Sequence, residues 1–176
     1  MYIKAVVAMS LNGFITNGSD SDVTKWTSPE DKAHFKAIKS ESRLIVMGKN
    51  TYIAMRKSMV MDDKTLRVVL VRDLSEFIQE TVEKNLEFSN LEPKQLVEWL
   101  EDLGYDNMLL AGGSYIYSEF LDAGLINELQ ITIEPVVFEN GTPLFSNLNS
   151  MQKLKLVSSK QLNESGTLLL SYIPGV

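Results

Sequence analysis

The chain has 176 residues, a formal net charge of −6, no cysteine and one histidine, with 44% hydrophobic and 23% charged residues. These values suit one soluble globular domain with its own core and exclude disulfides, zinc–thiolate sites, thiol catalysis and a histidine-rich metal site. The acidic balance opposes nonspecific binding to nucleic acid or an anionic membrane, and no apolar run reaches the ~20 residues that span a bilayer. No metal, nucleic acid or membrane partner is therefore expected. An anionic cofactor would need a local cluster of basic groups and backbone amides.

Tyr2 to Met9 is rich in β-branched and apolar residues and reads as a buried first strand. It has neither a basic leader nor a small-residue cleavage site, so a signal peptide is not expected and the cytoplasm is the expected compartment. Residues 10 to 28 read as a long loop, most flexible at Asn17-Gly18-Ser19-Asp20-Ser21-Asp22, and loops of that length are often functional. Ser28-Pro29-Glu30-Asp31 starts a helix, with Ser28 as N-cap and Pro29 at the first helical position, and the helix runs to about Ser40. Arg43 to Met47 is a second strand, and Gly48-Lys49-Asn50-Thr51 opens a short second helix. Leu66 to Val71 is a third strand and Leu86 to Ser89 a fourth. Pro93 to Leu103 is an amphipathic helix ending at Gly104. Asn107 to Ala111 is a buried strand, followed by Gly112-Gly113 and a helix from Ser114 to Ala123. Ile126 to Glu134 alternates like a strand. Leu154 to Leu162 and Thr167 to Ile173 form a closing hairpin around Asn163-Glu164-Ser165-Gly166. With no repeat or linker, residues 1–176 read as a single α/β domain: a mixed, mostly parallel sheet flanked by helices, with a C-terminal antiparallel hairpin.

Ligands of open α/β sheets sit beyond the carboxyl ends of the strands. The loop after the first strand, Gly48 to Thr51 and Ala111 to Tyr115 all fall there. The last two join a strand to a helix N-terminus, where free N–H groups and the helix dipole favour phosphate. Neither is a G-x-G-x-x-G or Walker sequence, and the glycines have two open readings: an anion cradle, or plain chain turns. Asp31, one turn into the helix after the loop, is the acid/base candidate, with Trp26 and Phe35 as apolar neighbours able to raise its pKa. The alternative is a carboxylate serving its own helix N-terminus. Trp26 alone also fits a packing residue, and His34, without a serine nucleophile motif, fits a surface or satisfied histidine.

Taken together, these segments resemble the dihydrofolate reductase superfamily through most of the chain. Trp26 to Lys36 is similar to the segment carrying its tryptophan, proline, active-site carboxylate and phenylalanine. Ile45-Val46-Met47-Gly48-Lys49-Asn50-Thr51-Tyr52 resembles the cofactor segment M-G-R-x-T-[WY], and Leu110 to Tyr117 the paired-glycine segment with its cis peptide. Glu128 to Ile133 resembles the strand whose threonine meets the carboxylate. The resemblance implies a dihydrofolate reductase-like fold and direct hydride transfer from NADPH to a C=N or imine-type carbon. It assigns catalysis to Asp31, Thr132 and Trp26, with Trp26 and the 10–28 loop closing over the nicotinamide. Ala8, Ile15 and Gly112-Gly113 would position the nicotinamide, Gly48, Lys49, Asn50 and Thr51 the pyrophosphate, and Ser114, Tyr115 and Ile116 the same cofactor from the next helix. Arg72 would face the 2′-phosphate, with a solvated strand end as its other reading; Val71 would also touch the cofactor, and Val6 and Phe35 the substrate.

Two branches of the superfamily compete for the substrate. Dihydrofolate reduction is supported by Trp26, Asp31, Phe35 and Thr132, but the arginine that clamps the folate carboxylate aligns near Thr65, with only Lys64 and Arg67 nearby. The riboflavin-pathway branch, 5-amino-6-(5-phosphoribosylamino)uracil reductase, has an S-L-D-G-x-I pattern similar to Ser10-Leu11-Asn12-Gly13-Phe14-Ile15. Ile133-Glu134-Pro135-Val136-Val137 and Gly141 before Pro143-Leu144-Phe145 also resemble it. The chain departs from that branch at Ala111, where E-G-G is common, and Asp62-Asp63 lies too far along to match its aspartate-rich segment. The riboflavin-type reading is favoured, and it implies a homodimer. A third reading, a non-catalytic nucleotide-binding module, is disfavoured because such a module has no need of Asp31 with Thr132.

Overall fold

Five aliphatic segments with both faces covered build the centre of an eight-stranded sheet in the computed structural model, which describes residues 1–175. The strands are β1 (Tyr2–Ser10), β2 (Leu44–Gly48), β3 (Leu66–Leu70), β4 (Leu86–Ser89), β5 (Asn107–Leu110), β6 (Glu128–Glu134), β7 (Leu154–Gln161) and β8 (Leu168–Pro174). Their spatial order is β4-β3-β2-β5-β1-β6-β8-β7. All pairings from β4 through β6 are parallel, while β8 runs antiparallel to β6 and β7 antiparallel to β8. The fold is therefore the expected α/β arrangement, a mixed, mostly parallel sheet with an antiparallel C-terminal hairpin.

The period of two along each strand divides the core into two layers. Ile3, Ala5 and Val7 of β1 face one layer with Leu44, Val46 and Leu110. Helices α3 (Pro93–Asp102) and α4 (Ser114–Asp122) cover it with Leu96, Leu100, Ile116, Tyr117 and Phe120. Val6, Ile45, Met47 and Leu109 face the other layer, beneath Tyr52 of α2 (Lys49–Met55) and the half-buried Phe35 and Ile38 of α1 (Pro29–Glu41).

Helix α1 starts as its sequence predicts: Ser28 caps it by accepting from the Asp31 N–H at 3.2 Å, with Pro29 in the first turn. Among its residues only Asp31 is buried. A surface helix that buries a carboxylate is not using that position for apolar packing.

The expected flexible stretch at 10–28 is fastened. Leu11 N–H donates to Val136 O, Ile15 N–H to Thr142 O and Gly18 N–H to Asn140 O, at 2.8 to 2.9 Å. The Asn12 side chain donates to Phe138 O at 2.8 Å and accepts from Phe138 N–H at 3.2 Å. A 3-10 turn at Val23–Lys25 completes it. These partners lie more than a hundred residues away, outside any local pattern. Smaller differences are that β1 extends to Ser10, β3 stops before Val71, and β6 begins at Glu128 rather than Ile126. Among the described residues no helix is long and apolar enough to cross a membrane, and no group of three His, Cys, Asp or Glu side chains is placed to hold a metal ion.

Candidate active site

The carboxyl ends of β1, β2, β3 and β5 open into one cleft of about 1700 Å³. Parallel strands that share direction bring their following loops to one side, so segments far apart in sequence meet there. On the β2 and β5 side the two glycine junctions touch. Gly48 N–H donates to Gly112 O at 2.7 Å, and Thr51 packs on the Gly112-Gly113 pair, whose peptide is cis. A Cβ on Gly48 would stand 2.8 Å from Ile116 Cγ1, so its backbone, in an ordinary extended conformation, is confined by space. Gly112, at φ +115°, combines a conformation unfavourable for other residues with a Cβ site 3.2 Å from Thr51 Oγ1. These glycines bring two helix starts side by side. No side chain caps α4, whose first residues Ser114, Tyr115 and Ile116 line the cleft with Gly48, Lys49, Asn50, Thr51, Gly112 and Gly113.

Val71 and Arg72, just past β3, line the same half, and the Arg72 guanidinium lies 5.7 Å from the centre of the Tyr115 ring. That cation–π contact joins two residues that the resemblance assigns to one cofactor. Lys49 does not hold a free ammonium. It pairs with Glu76 at 2.5 Å and lies 5.4 Å from the centre of the Phe77 ring. Glu76 also lines the cleft and was not singled out from the sequence, because its partner is 27 residues away.

The other half of the cleft belongs to β1 and α1. Val6, Ala8, Ile15, Asp31 and Phe35 all line it. Register explains the floor: Val6 pairs with Gln130, Ala8 with Thr132 and Ser10 with Glu134, so these side chains share one face of the sheet, beneath α1. The Tyr117 hydroxyl donates to Val6 O at 2.6 Å and locks α4 to β1 at the cleft floor.

Asp31 has 8% of its surface exposed. Burial pushes its carboxyl above the usual carboxylate range, and the charge of Glu134 adds to this. The neighbouring Thr132 hydroxyl, His34 and Lys32 pull the other way without cancelling it. Thr132 Oγ1 lies beside Asp31 but closes no hydrogen bond within 3.5 Å, and it is left buried and unpartnered. A buried hydroxyl without a partner is unfavourable unless a ligand or water completes it.

Two of the residues assigned to catalysis stand behind the cleft lining. Trp26 does not line the cleft. Its ring packs edge-on against Phe138 with centroids 5.2 Å apart, and its Nε1–H is buried without a partner. The large indole is taken up by packing, and the wall on that side is made by Ile15, Thr16, Val23 and Thr24 instead. Thr132 likewise sits behind the lining, reaching the site only through Asp31. His34 is outside the cleft, its Nε2 2.9 Å from Gln130 Oε1.

A basic bank was missed. Lys32, Lys36 and Lys39 of α1 all line the cleft, as do Lys57 and Ser58 from the turn after α2. The three lysines repeat at helical spacing, which shows a common face but not what that face looks onto. None of these four lysines has an acidic partner among the described residues.

Residues 1–168 match the RibD C-terminal domain family. A protein of Shewanella sp. PV-4 named for riboflavin biosynthesis superposes with a TM-score of 0.83 at 21% identity, covering 100% of both chains. The diaminohydroxyphosphoribosylaminopyrimidine deaminase/5-amino-6-(5-phosphoribosylamino)uracil reductase of Thermotoga maritima gives 0.74 at 19% identity, over 99% of this chain and 56% of its own. Dihydrofolate reductase from Enterococcus faecalis, complexed with NADP(H), gives 0.67 at 18% identity over 99% and 97%. Two curated Bacillus subtilis relatives, the uncharacterized proteins YwjB and YyaP, are 37% and 33% identical over 59 and 63 residues, so the chain spans 34% and 33% of their length. Matched along nearly its whole length, the chain belongs to the RibD C-terminal domain family, a family of reductase domains.

Proposed function

We propose that this protein is an NADPH-dependent reductase that transfers hydride to an imine-type carbon of a phosphorylated pyrimidine, of the 5-amino-6-(5-phosphoribosylamino)uracil class. The observation that carries the reading is Asp31: a buried carboxyl, biased toward its protonated form, on the same cleft as the paired glycine junctions. Raising a carboxyl's pKa by burial suits it better to proton donation than an exposed carboxylate.

The residues present fit a dinucleotide. The Gly48 and Gly112 junctions leave no room for side chains where a pyrophosphate would approach, and the uncapped α4 start offers amides. Arg72 on Tyr115 suits an adenosine 2′-phosphate and its ring, which favours NADPH over NADH. Reduced nicotinamide, when bound, supplies a hydride to the electrophilic carbon. The C=N electron pair then passes to nitrogen, which takes the proton from Asp31 and leaves it a carboxylate. Ala8 and Ile15 exclude water on the β1 side, while Val6 and Phe35 give the substrate an apolar bed. The Thr132 hydroxyl, now without a partner, is placed to steady the carboxylate that forms.

The basic bank selects the substrate class. Unpaired ammonium groups on both sides of the cleft suit a phosphate monoester better than a planar carboxylate, which calls for an arginine fork. The arginine nearest the folate-clamp position, Arg67, has 2% of its surface exposed and is committed to Asp62 and to the Thr65 and Val60 carbonyls. Lys64 does not line the cleft. The folate reading thus lacks its carboxylate partner.

The test is NADPH oxidation followed at its absorbance band. The phosphorylated uracil substrate is expected to be reduced and dihydrofolate to be turned over at least tenfold less efficiently, as loss of a charged contact implies. NADPH binding without turnover of either would leave a nucleotide-binding module.

A further inference from the structure

Glu134, at the end of β6, has 2% of its surface exposed, and the reaction above makes no direct use of it. Its two oxygens accept from neutral donors on different elements. The Ser28 N–H reaches Oε1 at 2.7 Å, and the Thr167 hydroxyl reaches Oε2 at 2.7 Å. No cation pairs with it among the described residues. Thr167 Oγ1 itself accepts from Asn163 Nδ2 at 3.0 Å, and the Thr167 N–H donates to Asn163 Oδ1 at 3.1 Å. Asn163 thereby takes a lone pair of the Thr167 oxygen and leaves its proton for Glu134. The carboxylate is held as an acceptor on both sides.

Ser28 is the cap of α1, and its hydroxyl accepts from the Asp31 N–H at 3.2 Å. Glu134 therefore fixes the cap, and the cap fixes the turn that carries the acid. The charged and titratable groups around Asp31 are Glu134 from β6 and His34 and Lys32 from α1. β1 brings only Val6, Val7 and Ala8 to the cleft there. Glu134 is the one anion of the set, and burial lets its field act with little screening.

We propose that Glu134 is the positioning residue of the site: held by the Ser28 amide and the Thr167 hydroxyl, it seats Asp31 through the cap of α1 and sets a second carboxylate beside the acid. This rests on the reading of Asp31 as proton donor.

The experiment is a carbon-13 NMR titration of labelled aspartate in the cofactor-free protein, with the Asp31 signal assigned by Asp31→Asn. In the wild-type chain the Asp31 signal is expected to move above the ordinary carboxylate range. A single step in the ordinary carboxylate range overturns the proposal without any variant. Glu134→Gln still accepts from Ser28 but carries no charge, and it should move the Asp31 midpoint to lower pH. The limb on which single-turnover hydride transfer falls with rising pH should shift with it, slowing the step above the midpoint roughly tenfold for each unit of displacement, with NADPH affinity unchanged. Glu134→Asp keeps the charge and should keep the midpoint near wild type. Equal midpoints in the two variants would reduce Glu134 to a structural role. If the titrations behave as expected while neither substrate is reduced, the reductase reading fails and the coupling stands. If substrate is reduced but Glu134→Gln leaves the titration unmoved, the coupling alone falls.

Discussion

The two ends of the parallel sheet treat charge in opposite ways. At the amino end, Glu128 opens β6 and is satisfied on every side. It accepts from Tyr2 at 3.0 Å, Gln130 at 2.7 Å and Ser171 at 2.8 Å, and it pairs with Lys4 at 3.1 Å. The chain's amino terminus pairs with Glu101 nearby. At the carboxyl end, six residues along the same strand, Glu134 has only neutral donors, Thr132 and Trp26 leave buried polar atoms unpartnered, and four lysines face the cleft without an anion. The Glu128 network is closed by the protein's own groups, whereas the groups around Glu134 and Thr132 are not. Strain and incomplete satisfaction collect where function is, while the rest of the fold supplies the stability.

The largest expected effect tests that contrast at its centre. Asp31→Asn should slow hydride transfer by roughly 10²–10⁴-fold, the range of a lost general acid, while NADPH affinity stays within a factor of about two. Single-turnover kinetics with a separate cofactor titration measures both, and equal losses would mean that Asp31 shapes the cleft instead of donating a proton. The same variant should be more stable at neutral pH. A carboxyl raised in the folded state binds its proton more tightly there than in the unfolded chain. Stability therefore falls as pH climbs from the ordinary carboxylate range through the raised value. Removing the charge should recover roughly 0.5–2 kcal/mol, read by thermal melts at pH 7, and the gain should vanish in acid.

Next in size is the basic bank. Lys36→Met with Lys39→Met should raise KM for the phosphorylated substrate by about tenfold or more and leave kcat near its original value. A dephosphorylated analogue should lose nothing. If both substrates weaken alike, the lysines merely solvate the helix face. A smaller effect is expected at the cofactor end, where Arg72→Ala should weaken NADPH by about tenfold and leave NADH unchanged, measured by fluorescence titration of each. Equal weakening of both would assign Arg72 to the Tyr115 ring contact and not to a phosphate.

Much of this architecture was legible. β2, buried at every position, carries the continuous apolar run of a central parallel strand, and Ser28-Pro29 marks the start of α1 to the residue. The glycine junctions and Asp31 were visible as residues. Their convergence followed from strand order, which only the resemblance supplied. What stayed hidden depends on distant partners. The 10–28 segment looks loose in sequence because its fastenings are Val136, Phe138, Asn140 and Thr142. Lys49 looks free until Glu76 is beside it. The lysine spacing on α1 was plain, but a helical period fixes only that side chains share a face. Which face meets the cleft is decided by Phe35, Ile38 and Asp31 packing onto the sheet. Trp26 kept two readings because a tryptophan beside a catalytic segment and a tryptophan in a packing contact look alike in one sequence.

The smallest effect lies at the satisfied end, and it carries the opposite sign of pH dependence. Burial pushes the Glu128 carboxyl up, but Gln130, Ser171, Lys4 and Tyr2 together bring it down to about 2. A depressed carboxyl contributes stability that is present above its ordinary range and is lost as pH falls toward the folded value. Because 17% of the side chain is exposed and Lys4 is more so, solvent screening trims the contribution to roughly 1 kcal/mol. Glu128→Gln should thus lower stability by about that much at pH 7, flatten the acid limb of the stability curve, and leave hydride transfer untouched. Denaturant melts from pH 2 to pH 7 separate the two ends of the sheet directly. Losing a charge at Glu128 should destabilise only above the carboxylate range, whereas losing one at Asp31 should stabilise over that same interval. A Glu128 variant that changed turnover would show that the network at the amino end is mechanically joined to the cleft through His34 and Gln130, and the two ends would then have to be treated as one unit.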